Sequence, residues 1–102
     1  MLVYNKPTMN ESEEIQVIDL GESISLITMG FNLIRLEQSS RGNHKIFIFD
    51  SKHPQWSNHT IKGTLDQYYR RLLQVDAFSF YKNYREIKYR IREFEEIHSG
   101  KV

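Results

Sequence analysis

The chain has 102 residues, 39% hydrophobic and 26% charged, with a net charge of +1, which suits one domain with a single modest core and excludes a strongly basic nucleic-acid coat. It contains no cysteine, which excludes a disulfide framework and a thiolate metal site. No apolar run approaches the roughly 18 residues of a membrane span and no signal peptide opens the sequence, so the expectation is a cytoplasmic protein with no membrane partner.

MLVYNKPTMNESEE (1–14) is polar, holds Pro7 and has no sustained period, which predicts a disordered tail ahead of a single domain over 15–98. IQVI (15–18) reads as a short strand. Asp19 then opens a helix as its N-cap, with Glu22 three positions on as the return half of a capping box. Leu20, Ile24 and Ile27 follow at helical spacing until Gly30, whose freedom to turn left-handed ends the helix and lets Phe31 fold back on Leu26.

NLIRLEQ and HKIFIFD flank SSRGN. Their β-branched and aromatic content, with turn residues between, predicts an antiparallel hairpin. Strict alternation puts Ile34 and Leu36 on one face and Leu33 and Arg35 on the other. The second strand is apolar on both sides, which predicts cover on both.

SKHPQWSNHTIKG reads as a loop broken by Pro54, with Trp56 as a plug beneath it. Thr64 and Gln67 make a second capping box ahead of Leu65, Tyr68, Tyr69 and Leu72 on one stripe. Asp76 is the natural N-cap of the last helix, where Ala77, Phe80, Tyr84, Ile87, Ile91 and Phe94 recur at steps of three and four. The expected fold is α+β, in the order β-α-β-β-α-α, with a central antiparallel hairpin packed on helices.

The chemistry this pattern offers is narrow. Asp50, His53 and His59 match no strong metal-ligand spacing, so no metal is expected. No Gly-rich phosphate loop, Ser-His-Asp context or paired carboxylates appear, and neither a cofactor nor an enzymatic activity is expected.

Charge is segregated instead. Residues 1–50 hold four Lys/Arg against seven Asp/Glu, and 51–102 hold ten against six. Arg70, Arg71, Lys82, Arg85, Lys88, Arg90 and Arg92 face only Asp76 and Glu86 in that span. On the last helix, Lys82, Arg85, Tyr89 and Arg92 lie at steps of three and four opposite the apolar stripe, with Lys88 beside them. Cations that hold a phosphate backbone beside a ring that stacks make a nucleic-acid contact, DNA or RNA. Arg41, Asn43, His44 and Lys45 at the hairpin tip add a second basic spot, and Arg41 and Lys45 there can enter a groove as wings do.

Each feature also has a plainer explanation. Turns of soluble proteins carry such residues routinely, and Lys82–Glu86, Glu86–Arg90 and Arg92–Glu96 have the spacing of ion pairs on a solvated helix. Glu93, Glu95 and Glu96 do not fit that explanation, because the helix dipole disfavours anions at a C-terminal end. A protein-interaction module without nucleic-acid binding, working as an inhibitor of a host protein or as a homodimer, stays open through the exposed tyrosines.

DLGESISLITMGF (19–31), LIRLEQ (33–38), IFIFD (46–50) and VDAFSFYKNYREIKYRI (75–91) together resemble a small family of unknown function from bacterial and phage genomes. Its pattern is D-L…L…G-F, F-x-F-x-D and V-D-x-x-x-F…K. The resemblance implies a phage or mobile-element setting, where small proteins bind nucleic acid or block a host or phage protein. It says nothing about activity.

Overall fold

A computed structural model describes residues 13–42 and 44–98. Of the expected tail only its last two residues are among these, and Asn43 and the His98 side chain also lie outside them. The elements run β1 (Glu14–Val17), α1 (Leu20–Thr28), β2 (Leu33–Gln38), β3 (Lys45–Asp50), α2 (Ile61–Tyr69) and α3 (Ala77–His98). The fold is thus α+β in the expected order. All three strands are antiparallel, with β3 central in the order β1-β3-β2.

The first helix forms for the expected reasons at both ends. Asp19 accepts the Glu22 amide at 2.9 Å. At the other end the Gly30 amide donates to the Ile27 carbonyl and the Phe31 amide to that of Leu26, at 2.9 and 3.0 Å. Gly30 has φ +98, so this is a Schellman closure with glycine in the left-handed position. The box itself is half made, because the Glu22 carboxylate accepts the Tyr69 hydroxyl of α2 instead of returning to Asp19. That bond favours the protonated phenol and pushes the Tyr69 pKa up to about 12.

The register corrects the expected strand faces. Leu33 pairs with Phe49 and Arg35 with Ile48, so Ile34 is an extra residue in a β-bulge. Leu33 and Leu36 therefore share the helix side with Phe47 and Phe49, while Arg35 and Glu37 turn away. The core joins Val17, Phe47 and Phe49 to Ile24, Leu26, Phe31, Ile61 and Ile87, and α1 packs against both α2 and α3.

Ile48 points to the other side, yet it is buried. No helix covers it. Arg35 on β2 reaches Glu14 on β1 at 2.7 Å, and its Nε meets Glu37 at 2.8 Å. Since β3 lies between those strands, the guanidinium crosses it where Ile48 pairs with both Gln16 and Arg35. The second face is covered as expected, by a charged roof with an aliphatic stem.

Several features after β3 differ from expectation. The N-cap of α2 is Thr60, whose Oγ1 accepts the Gly63 amide at 2.9 Å, and Thr64 is buried inside the helix. Starting there brings Ile61 into the core, which decides against the later box. Leu72 lies past the helix end and is exposed. Trp56 is no plug. It is 49% exposed and stacks on His53 with ring centroids 4.9 Å apart.

His53 is the buried residue of that loop. Its Nδ1 accepts the Gln55 and Trp56 amides at 3.0 and 3.1 Å, so its proton sits on Nε2 and is donated to the Met29 carbonyl at 2.8 Å. Both nitrogens are engaged in fastening the loop to the end of α1.

Candidate nucleic-acid interface

Asp76 starts α3 by accepting the Ser79 amide and hydroxyl, each at 2.8 Å, and those two bonds hold its carboxyl below the usual range. The 22 residues that follow make a rod about 33 Å long. Among the described residues one side of it packs. Ile87 is buried, and Phe80, Ile91 and Phe94 are half-buried around it.

Tyr84 belongs to that stripe by spacing, but it is 36% exposed and Asn83 takes the inward position. Asn83 can be there because its Nδ2 donates to Thr28 Oγ1 on α1 at 3.0 Å. Tyr84 instead stacks beside Tyr81, with centroids 6.4 Å apart and planes at 26°.

The opposite side carries Lys82, Arg85, Lys88, Tyr89 and Arg92, all exposed. Among the described residues none of the four cations makes an ion pair, whereas Arg35, Lys45 and Arg70 each do. Lys82–Glu86 and Glu86–Arg90, matched in spacing, are not formed. Two of them face rings instead: the Arg85 guanidinium lies 5.9 Å from the Tyr81 centroid and the Lys88 ammonium 5.8 Å from that of Tyr84. The Glu93 carboxylate raises the Tyr89 pKa, which keeps that hydroxyl a donor.

Two aromatics missing from the expected site belong to this surface. Phe78 is 74% exposed and Tyr81 59%. With Lys82, Arg85, Glu86 and Tyr89 they line a shallow groove of about 470 Å³. Their positions, seven and four residues before Arg85, were the available signal.

The hairpin tip does not join this surface as a unit. Arg41 is exposed there. Lys45 shares a strand face with Phe47 and Phe49, so it points under the helices. It is 9% exposed, with Nζ 3.1 Å from Glu95 Oε2. This corrects its assignment to an exposed basic spot and also accounts for Glu95 at the wrong end of a helix dipole.

Among the described residues no three His, Cys, Asp or Glu side chains converge as metal ligands, and no helix is long and apolar enough to cross a membrane. Neither a family model, nor a curated protein, nor a solved structure matches the chain.

Proposed function

We propose that this is a small nucleic-acid-binding accessory protein of a phage or mobile element, acting through the outward side of α3. The observation that carries this reading is the set of Lys82, Arg85, Lys88 and Arg92, exposed on one helix side with no ion pair among the described residues. Helical ion pairs are easily made when carboxylates stand four residues away, as Glu86 does from both Lys82 and Arg90. Cations left unpaired beside exposed rings suit a polyanion that supplies the missing charge. Arg41 is a secondary contact at most, and Lys45 has no part in it.

The test is binding of labelled DNA and RNA over a range of salt. Affinity should fall with salt. Replacing Arg85, Lys88 and Arg92 with Gln should flatten the slope of log affinity against log salt by about 0.7–0.9 for each phosphate that is no longer neutralised. An absence of salt-sensitive affinity at low ionic strength defeats the reading. The second reading, a protein-interaction module, rests on Leu72 and Phe78, large apolar side chains exposed on either side of the turn between α2 and α3. A salt-insensitive complex with a host protein would support it.

A further inference from the structure

The same helix side narrows the class of ligand, on the assumption that it binds nucleic acid at all. Phe78, Tyr81, Arg85, Tyr89 and Arg92 follow one another at steps of three, four, four and three. Together they form one stripe diametrically opposite Ile87, the residue of α3 buried in the core. Along the axis the first three steps measure about 4.5, 6 and 6 Å. A base held between two flat groups needs about 6.8 Å, twice the stacking distance of about 3.4 Å, so unpaired bases lie on the exposed ring faces of this stripe and not between its neighbours.

We infer that this stripe binds a single strand, with bases stacked on Phe78, Tyr81 and Tyr89 and on the Arg85 guanidinium, and with Lys82 and Lys88 holding phosphates on either flank. Exposure carries the argument. Phe78, Tyr81 and Tyr89 are all more than half exposed, Tyr89 by 55%, on a helix whose other side already has a core to join. A duplex offers such rings no base face, and its phosphates gain nothing from the phenyl ring of Phe78. Unpaired bases do, and stacking of this kind is indifferent to sequence. The charge also has a direction. Glu93 and Glu96 follow Tyr89 and act on its hydroxyl, so the stacked bases end at Tyr89 and Arg92 is the last phosphate contact of the strand.

The decisive probe is an abasic oligomer, which carries the phosphates of oligo(dT) without its bases. The full chain should bind oligo(dT) at least about tenfold more tightly than either a duplex or the abasic oligomer of equal length. Tyr81→Leu and Tyr89→Leu should each weaken oligo(dT) binding by about fivefold to a hundredfold and leave the abasic affinity unchanged. An oligo(rU) arm separates RNA from DNA, and a preference for either single strand satisfies the inference. Equal affinity for oligo(dT) and the abasic oligomer overturns the stacking stripe while leaving phosphate binding intact. No affinity for any of them removes both and leaves the surface to a protein partner. Because the abasic arm uses the wild-type chain, a variant that fails to fold cannot obscure the result.

Discussion

The molecule has two charged surfaces, built on opposite plans. On the sheet face away from the helices, Arg35 is clamped between Glu14 and Glu37 and roofs Ile48. On the outward side of α3, four cations stand among rings without a carboxylate partner among the described residues. The first surface uses charge to hold strands in register over an apolar side chain. The second has nothing beneath it to cover, because the core of α3 lies on the far side. A charge with a structural task finds its partner within the chain, and a charge without one is available to something outside.

The largest expected effect separates the two sides of α3. Ile87 is buried among α1 and sheet residues, so Ile87→Ala should cost about 2–5 kcal/mol in urea unfolding. Arg85→Ala, two residues away but on the outward side, should stay within about 0–1 kcal/mol. Similar losses for both would mean that the outward side carries packing, and the contrast between the surfaces would collapse.

A smaller effect tests the sheet roof. The hydrogen bond and charge of Arg35 hold the Glu14 carboxyl below its ordinary value of 4.5. A depressed pKa in the folded state means that the contribution is complete above pH 4.5 and is lost as pH falls through the lowered value. Arg35→Ala should therefore lower the urea midpoint at neutral pH, and its gap from wild type should narrow in acid. A gap that persists at low pH would show that Arg35 acts only through its aliphatic stem over Ile48.

Much of this architecture could be read from the residues, and the failures share a cause. Asp19, Gly30 and Asp76 act locally, through their own side chains or backbone, so their roles follow from their neighbours in sequence. Ile34 is different. Nothing in LIRLEQ announces a bulge, which arises because Leu33 and Leu36 both gain burial on the helix side. Thr60 is hidden in the sequence because Gly63 breaks the expected box, while Thr64 and Gln67 complete one. The core settles the matter by requiring Ile61. Asn83 displaces Tyr84 because Thr28, distant in sequence, offers a hydroxyl. The site is legible as a charge pattern, but the roles of Lys45, Phe78 and Tyr81 depend on which side of each element the core occupies.

The smallest expected effect concerns Arg71, in the turn that delivers the chain from α2 to α3. Its amide donates to the Tyr68 carbonyl and that of Leu72 to the Gln67 carbonyl, the same closure that ends α1. Here the left-handed position, φ 61, is held by arginine instead of glycine. A side chain with a Cβ is strained in that region, and glycine relieves the strain while adding freedom to the unfolded chain. Arg71→Gly should therefore stabilise the protein by about 0.5–1 kcal/mol, read as a higher urea midpoint. Arg71→Asn, which tolerates the left-handed region, should move it in the same direction by less. The comparison between the surfaces then gains a third case. If Arg71 belongs with the unpaired cations of α3, both variants should gain stability and lose salt-sensitive affinity for a single strand, since the strained backbone is kept for the sake of the charge. A gain in stability with unchanged affinity would place Arg71 outside the interface and confine the binding surface to α3 itself.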